Sequence, residues 1–269
     1  MNIAFIGGGN MATALIAGLA KQAGNRFHVV DPNADALARL AADYGVGTAT
    51  AIDATIASFD VVVLAVKPQQ MREVAAMLAP HLGSQLVLSI AAGIRSADLS
   101  RWLDGHTAIV RAMPNTPALI KQGITGMVAM PGVTEAQRAA ADEVLRAVGQ
   151  TVWLDDEALI DPVTAVSGSG PAYVFYFLEA MQAAASEMGL SAEQGKQLAL
   201  ATFAGATQLA AQSDESLDLL RQRVTSKGGT THAAISSMEG AGVKAAIVDA
   251  MKAAAARGRE LGDELGADT

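Results

Sequence analysis

The chain has 269 residues, 51% of them apolar and 17% charged, which is enough for about two domains with sizeable cores. Its formal net charge of −8 argues against a nucleic-acid partner, because phosphate binding requires clustered lysine and arginine. The absence of cysteine excludes disulfides, thiolate catalysis and cysteine-ligated metals, and the 4 histidines are too scattered to predict a metal site.

The start of the chain carries no targeting signal that we can identify. No basic region precedes the first apolar run, Asn2–Ile6, so no signal peptide is predicted. No apolar stretch reaches the length of about 18 residues that a membrane-spanning helix needs. We therefore expect no membrane segment and a cytoplasmic location.

The first 155 residues alternate short β-rich runs with helical segments. The run Val61–Val66 is apolar without alternation, which is typical of a strand buried on both faces of a sheet. This repetition predicts an α/β domain with a parallel, doubly wound sheet of the Rossmann type. Strands are predicted at Ile3–Ile6, Phe27–Val30, Val61–Val66, Leu86–Ile90, Ala108–Arg111, Gly126–Met130 and Thr151–Leu154, and helices at Ala12–Ala23, Asp35–Tyr44 and Gln69–Leu78.

After Asp155 the sequence contains only helical patterns. One helix is predicted from Pro171 to Met188, and a capping box at Ser191 and Gln194 begins the next, which extends to Gln212. Further helices are predicted over Glu215–Val224, after a break at Thr225–Thr230, and after a second break at Gly240–Gly242. The prediction is a Rossmann domain over residues 1–155, followed by an all-α helical domain over residues 156–269.

The predicted helix at Gln197–Ala211 is apolar nearly all round. A helix of this kind is normally enclosed by other helices. We expect such an enclosure here, with a second subunit as one source of the enclosing helices.

A glycine-rich turn lies between the first strand and the first helix. Its sequence fits G-x-G-x-x-A, in which the first glycine permits a tight turn and the second lets the backbone approach a pyrophosphate. The helix N-terminus would add free N–H groups. The pattern predicts dinucleotide binding by Gly7, Gly8, Gly9, Asn10, Met11 and Ala12.

Asp31 ends the second strand, roughly 20 residues after Gly9, where an acid commonly bonds the adenosine ribose. A carboxylate there repels a 2′-phosphate, so we expect NADH to be used well, with NADPH still possible. Asp31, Pro32 and Asn33 also form a good helix-entry turn, and this alternative stays open.

Three further loops follow predicted strands. Ligands of open α/β sheets bind beyond the carboxyl ends of the strands, so these loops are placed to line the nicotinamide half of the cleft. Ordinary strand-to-helix turns are equally compatible with position alone. The loop residues are Ala65, Val66, Lys67 and Pro68, then Ala91, Ala92 and Gly93, then Met113–Pro117 with Asn115.

Two glycine-rich segments, Val166–Tyr173 and Val224–Thr231, lead into predicted helices of the C-terminal domain. Consecutive N–H groups at such an entry form an anion cradle, for which a substrate carboxylate is a fitting ligand. A simple capped helix start is the alternative for each.

Together these motifs resemble the pyrroline-5-carboxylate reductase family over essentially the whole chain. The resemblance implies reduction of the C=N bond in 1-pyrroline-5-carboxylate to L-proline with NAD(P)H, in proline biosynthesis. It also implies a homodimer through the helical domain, with dimers commonly assembling to decamers. The motifs that carry it are Phe5–Ala12, Ala65–Pro68, Ser89–Gly93, Arg111–Pro117, Ser167–Tyr173 and Ser226–Thr231, of which the last three are specific.

The resemblance also assigns roles to individual residues. The glycine turn, the two loops after it and Asn115 are implied as cofactor contacts. The Thr231 hydroxyl is implied near the ring nitrogen as the catalytic group, and Glu157 as an acid that approaches the substrate. Arg223 and Lys227 depart from the Asn and Pro of many relatives. The backbone N–H groups of Gly229, Thr230 and Thr231 are implied as the donors that hold the substrate carboxylate. The residues implied to hold the substrate are Glu157, Ser226, Gly228, Gly229, Thr230 and Thr231.

Two other functions are compatible with this domain arrangement. A β-hydroxyacid dehydrogenase needs a catalytic lysine early in its helical domain, and none occurs between Lys121 and Lys196. A dinucleotide-sensing or scaffold protein could share the fold without being an enzyme. No histidine, cysteine or metal cluster offers an acid, so the hypothesis is that the substrate binds protonated or takes its proton from water ordered by Thr231.

Overall fold

A computed structural model describes residues 1–267, which form two compact units. The first contains Met1–Ser169 and the chain from Ala253 onward, and the second contains Gly170–Lys252. The units differ from the predicted division at residue 155, because the first unit extends to Ser169 and also contains the end of the last helix. Residues 268 and 269 of the predicted helical domain lie outside the described residues.

The first unit is built on one eight-stranded sheet with the order β3-β2-β1-β4-β5-β6-β7-β8. All neighbouring strands are parallel except β6 and β7, which are antiparallel. The chain leaves β1 towards β2 on one side and returns to β4 on the other, which is the topological switch point of a Rossmann sheet. The strands are β1 Asn2–Ile6, β2 Arg26–Val30, β3 Gly47–Ala49, β4 Val61–Leu64, β5 Leu86–Ser89, β6 Ile109–Met113, β7 Gly123–Ala129 and β8 Gly149–Trp153.

A hydrophobic core covers each face of this sheet. Along β4, Val61 and Val63 belong to one core, and Val62 and Leu64 to the other. Successive side chains of a strand point to opposite faces, so a strand buried on both sides needs an uninterrupted apolar run. The predicted burial on both faces is confirmed for Val61–Leu64, and the strand ends two residues earlier than predicted.

Six helices accompany the sheet. The sixth, α6, continues into a π-helical turn at Thr164–Gly168, closed by a hydrogen bond from the Ser169 N–H to the Thr164 carbonyl at 2.8 Å. The helices are α1 Asn10–Leu19, α2 Ala34–Tyr44, α3 Met71–Leu78, α4 Ser96–Trp102, α5 Glu135–Arg146 and α6 Ile160–Val163.

The second unit is entirely helical. The predicted capping box is present at the start of α8, where the Ser191 side chain accepts from the Gln194 N–H and the Gln194 side chain from the Ser191 N–H. Its helices are α7 Gly170–Glu187, α8 Ala192–Ala211, α9 Leu217–Arg223, α10 Thr230–Gly240 and the first part of α11 Val243–Gly266.

The helix α8 is not enclosed by helices of its own chain. Only Gly195 and Ala199 are buried along its length. The expected enclosure is therefore absent within one chain. A second subunit, which the sequence analysis named as one source of enclosing helices, stays a prediction.

The end of α11, which belongs to the first unit, packs through glycines spaced four residues apart. Arg95 lies across this helix, donating to the Arg259 carbonyl at 3.3 Å and pairing with Asp263 at 2.7 Å. Residues on one face of a helix recur every three or four positions, so small residues at this spacing permit close approach. The glycines and their neighbours are Gly258 with Asp161, Gly262 with Arg95, and Gly266 with Asp98.

Two features of the sheet differ from the predictions. The three-residue strand β3 was not predicted, since its short, largely exposed segment has no apolar pattern. The strand β7 begins at Gly123, earlier than predicted, and runs against β6 rather than parallel to it. Within residues 1–267 no helix is long and apolar enough to cross a membrane, and no group of three or more potential ligand side chains could hold a metal ion.

Candidate active site

The glycine turn between β1 and α1 is shaped by a close approach to the loop after β4. Gly7 has a φ of +103°, which favours glycine, and a Cβ at this position would lie 2.7 Å from the Ala65 carbonyl oxygen. The Gly7 N–H donates to the Val30 carbonyl at 2.8 Å. Glycine is therefore required at position 7 both by the backbone angle and by the space available.

The start of α1 is left open by Gly9, its N-cap residue. Gly9 supplies no side chain, the first turn carries no acidic residue, and no atom lies within 4 Å of the position that a Gly9 Cβ would take. The first intrahelical hydrogen bond runs from the Thr13 N–H to the Gly9 carbonyl at 2.9 Å. The N–H groups of Asn10, Met11 and Ala12 come before it and have no acceptor within the helix. Free N–H groups at the positive end of a helix dipole fit a dinucleotide pyrophosphate.

Both carboxylate oxygens of Asp31 bond the backbone. Oδ2 accepts the Gly8 N–H at 2.7 Å, and Oδ1 accepts the Asn33 N–H at 2.8 Å. The Asn33 side chain in turn caps α2 by accepting the Ala36 N–H. The helix-entry turn offered by the sequence is thus present. Each carboxylate oxygen keeps a further lone pair that a ribose hydroxyl could use.

The loop after β4 lies beside the glycine turn. Its Ala65 carbonyl faces Gly7, and the Ala65 N–H donates to the Ile6 carbonyl at 2.8 Å. Lys67 is exposed, and Pro68 begins a short 3₁₀ turn that leads into α3. The sheet order therefore brings together the glycine turn and Ala65–Pro68, as expected for loops at the switch point.

The loop after β5 contributes to the packing of the first unit, in addition to any contact with a ligand. Ala91 is buried in the core, whereas Ala92 is exposed. Gly93 has a φ of +75°, and a Cβ there would lie 3.1 Å from Leu265 and 3.5 Å from Leu261 of α11. The close approach of α11 thus accounts for Gly93, and Ala92 is the exposed side chain of this loop.

Asn115, after β6, is buried and bonds at both ends of its amide. Nδ2 donates to the Ser167 carbonyl at 3.1 Å, and Oδ1 accepts the Ile124 N–H at 3.0 Å. It links the start of β7 to the π-helical turn at 164–168. A structural role thus accounts for this asparagine, and a cofactor contact would have to use its remaining N–H or lone pair.

Glu157 Oε1 accepts hydrogen bonds from two residues to which the sequence analysis gave no individual role. The partners are Ser96, at the start of α4, and Arg111, on β6. The available signal was the position of Arg111 in an otherwise apolar strand, since a buried arginine requires an anionic partner. Periodicity alone could not identify Glu157 as that partner.

The entry to α10 offers an uncapped helix N-terminus in the second unit. Gly228 has a φ of +76°, and the Gly229 N–H donates to the Ser226 carbonyl at 3.0 Å. Gly229 was one of three predicted carboxylate donors, and its N–H is already engaged. The first turn carries no acidic residue and no side-chain cap.

The free donors of this turn lie one position further along the chain than predicted. The first intrahelical bond runs from the Ala233 N–H to the Gly229 carbonyl at 3.1 Å. The N–H groups of Thr230, Thr231 and His232 precede it and have no acceptor within the helix. Three adjacent N–H groups at a positive helix end suit a carboxylate.

The two residues that depart from the family pattern lie at the surface. Arg223, the last residue of α9, forms an ion pair with Glu215. Lys227 is exposed beside Gly228. Neither Arg223 nor Lys227 contacts the N–H groups that are predicted to bind the carboxylate.

Two family models match the chain. Residues 157–261 match "Pyrroline-5-carboxylate reductase dimerisation", and residues 2–93 match "NADP oxidoreductase coenzyme F420-dependent". A pyrroline-5-carboxylate reductase from Pseudomonas aeruginosa is 47% identical over 267 residues, covering 98% of both chains. The chain belongs to the pyrroline-5-carboxylate reductase family. The predicted family, fold class and oxidoreductase activity are confirmed.

Solved structures agree with this assignment. A pyrroline-5-carboxylate reductase from Coxiella burnetii is 40% identical, with a TM-score of 0.90 over 97% of this chain and 98% of that one. The pyrroline carboxylate reductase from Plasmodium falciparum, solved with NADP bound, is 27% identical, with a TM-score of 0.86 over 97% and 98% of the two chains. The dimerisation model begins at residue 157, close to the predicted start of the helical domain.

Proposed function

We propose that the protein reduces the C=N bond in 1-pyrroline-5-carboxylate, a cyclic imino acid, to give L-proline with NAD(P)H. The observation that carries the proposal is the 47% identity over 98% of the chain to a pyrroline-5-carboxylate reductase. The two open helix N-termini supply what this chemistry needs, namely one site for a pyrophosphate and one for a carboxylate.

The cofactor contacts proposed in the first unit are the glycine turn Gly7–Ala12, the loops Ala65–Pro68 and Ala91–Gly93, and Asn115. Support comes from the open start of α1 and from the match of residues 2–93 to an NADP oxidoreductase model. Asp31 favours efficient use of NADH, because a carboxylate beside the Gly8 N–H would repel a 2′-phosphate. Residues 1–155 are proposed as the cofactor domain and residues 156–269 as the substrate and dimerisation domain.

The substrate carboxylate is proposed to bind the N–H groups of Thr230, Thr231 and His232. Ser226, Gly228 and Gly229 shape the turn that leaves these groups free. A bound reduced dinucleotide supplies the hydride from its nicotinamide ring. The chain's part is to orient the reactants, which is potentially worth ~7–11 kcal/mol, and to hold a proton donor near the ring nitrogen. The Thr231 hydroxyl, or a water that it orders, is proposed for that position.

A homodimer through the helical domain is proposed from the dimerisation model and from the exposed α8. Assembly of dimers into decamers stays a prediction from the resemblance. A cytoplasmic location stays a prediction from the sequence.

The test is oxidation of NADH and of NADPH by the purified protein with 1-pyrroline-5-carboxylate, against a control without substrate. Substrate-dependent oxidation with L-proline as product is expected. Thr231→Ala should lower kcat/KM by the equivalent of about 1–3 kcal/mol, the loss of one hydrogen bond to a polar or charged group. Thr231→Ser should stay near wild type because it keeps the hydroxyl.

Thr48→Ala, at an exposed threonine of β3, is the matched control and should not change the kinetics. Absence of any imine-dependent oxidation would refute the reductase function. Unchanged kcat and KM in both Thr231 variants would remove Thr231 from the mechanism.

A further inference from the structure

One carboxylate oxygen accepts three hydrogen bonds from two residues that adjoin proposed cofactor loops in the sequence. Glu157 Oε1 accepts the Ser96 N–H at 2.7 Å, the Ser96 hydroxyl at 3.0 Å and the Arg111 Nη1–H at 2.8 Å. All three residues belong to the first unit. Three donors occupy the lone-pair sites of this oxygen and hold the carboxylate in place, and Oε2 is the oxygen that accepts none of them.

This carboxylate neutralises the buried guanidinium of Arg111. The Arg111 side chain is 6% exposed, the Glu157 side chain is 31% exposed, and the buried Arg111 Nε has no hydrogen-bond partner. Within residues 1–267 Glu157 is the acidic group paired with Arg111. Removal of one partner of such a pair leaves a buried charge without compensation, which strongly opposes the native arrangement.

The donors connect Glu157 to both loops. Ser96 is the first residue of α4 and follows the loop at Ala91–Gly93. The N-cap residue of this helix, Arg95, provides no side-chain cap, and Glu157 accepts the N–H of the first helical residue instead. Arg111 lies on β6, which leads to Asn115. One carboxylate therefore ties the end of the β5 loop to the strand that carries the next loop.

We propose that Glu157 is a positioning residue for the nicotinamide side of the cofactor site rather than a ligand of the substrate, with Ser96 and Arg111 as its anchors. This is a different role from the substrate contact that the resemblance implied. The inference rests on the proposed function in one respect, namely that the loops at Ala91–Gly93 and Asn115 contact the cofactor.

Glu157→Gln separates the two roles through two constants. The first is the Kd for NADH, measured by fluorescence titration without substrate, and the second is the KM for the imino acid substrate at saturating NADH. The Kd should rise about two- to thirtyfold while the KM changes by less than about twofold, since residues that act through neighbours have effects of this size. A residue that contacts the substrate would give the opposite pattern.

Ser96→Ala is the milder variant, because it removes one donor and no charge. It should raise the Kd for NADH in the same direction, and its effect should shrink in the Glu157→Gln background, since both substitutions act on one hydrogen-bond cluster. Thermal unfolding checks that each variant is folded, and Ser96→Ala carries the test if Glu157→Gln is not. Glu239→Gln, which breaks an exposed ion pair with Arg221 in the second unit, is the control and should leave both constants unchanged.

A raised KM for the imino acid with an unchanged Kd for NADH would overturn the proposal and restore Glu157 as a substrate ligand. Unchanged values of both constants would also overturn it. A wild-type protein that binds NADH without turning over the imino acid would refute the proposed function, and the comparison of Kd values would still decide the role of Glu157.

Discussion

At the scale of single residues, Asp31 has a geometric role and an electrostatic role. Its two oxygens hold the Gly8 N–H and the Asn33 N–H, so the carboxylate joins the glycine turn to the turn that begins α2. Its negative charge lies where the adenosine end of a dinucleotide is expected in this fold. A substitution that removes the charge but keeps the shape should separate these roles.

Asp31→Asn is such a substitution. One amide oxygen can still accept a backbone N–H, whereas the NH₂ group cannot accept the other. We expect kcat/KM with NADH to fall by the equivalent of about 1.5–3 kcal/mol, the range for hydrogen bonds to a charged group. The fall with NADPH should be smaller, because the repulsion of its 2′-phosphate is relieved. Steady-state kinetics with both cofactors measure the ratio.

Asp43→Asn, at an exposed acid of α2, is the matched control and should leave that ratio unchanged. If Asp31→Asn reduced activity with the two cofactors equally, Asp31 would act only by holding the glycine turn. The electrostatic part of its role would then be wrong.

The sequence predicted polar residues for the site but not their bonding partners. Asp31 and Asn115 each follow a strand, and this position predicted them as cofactor contacts. Their atoms are nevertheless bonded to the chain itself, Asn115 to the Ser167 carbonyl far along the sequence. Such bonds depend on how separate segments are brought together in three dimensions, which no local pattern reports. For the same reason, the sequence could not predict the hydrogen bond between Arg111 and Glu157.

At the scale of elements, helix packing depends on glycines that no sequence pattern predicted. In α1, a Cβ at Gly18 would lie 2.5 Å from the Ala147 carbonyl oxygen and 3.0 Å from the Ala147 carbonyl carbon, just after α5. The obstacle is backbone and cannot rotate away. The close packing of α1 against this segment therefore requires glycine at position 18.

Gly18→Ala should destabilise the protein even though alanine favours helix. The gain in helix propensity is about 1 kcal/mol, and overpacking of a tight contact costs typically about 1–3 kcal/mol. Since the clash here is with backbone, we expect the larger cost, and a net loss in the free energy of unfolding. Urea unfolding and Tm measure it.

Gly240→Ala is the matched helical control, because no atom lies within 4 Å of its Cβ position at the end of α10. This variant should be as stable as the wild type or more so. A Gly18→Ala protein that is as stable as the control would show that α1 can shift at little cost, contrary to the tight contact with Ala147.

Element type and helix ends were predictable where local chemistry sets them. The capping box at Ser191 fixed the start of α8, because its two hydrogen bonds lie within four residues of each other. The direction of β7 was not predictable, since parallel and antiparallel neighbours in a sheet have similar apolar patterns. β3 has only three residues, too few for a periodic signal.

At the scale of the whole molecule, the helical unit leaves large apolar side chains exposed when the chain is considered alone. Tyr176 of α7 is 73% exposed and Leu209 of α8 is 62% exposed, and other large apolar side chains of the unit, such as Phe175, are exposed too. Large apolar side chains exposed in such number within one unit favour an interaction site. Because residues 157–261 match a dimerisation model, we expect a second copy of the chain to cover it.

A charge at Leu209 should therefore weaken the assembly. We expect the wild type to have a mass of at least twice 27.5 kDa by sedimentation equilibrium, and Leu209→Lys to shift it towards the monomer, because an ammonium group cannot be buried without a partner. Ala42→Lys, on the exposed side of α2 in the first unit, is the control and should keep the wild-type mass. A monomeric wild type at micromolar concentration would contradict the proposed dimer. If instead Leu209→Lys kept the wild-type mass, the contact between copies would have to lie on another face of the helical unit, and the exposure of α8 would need a different explanation.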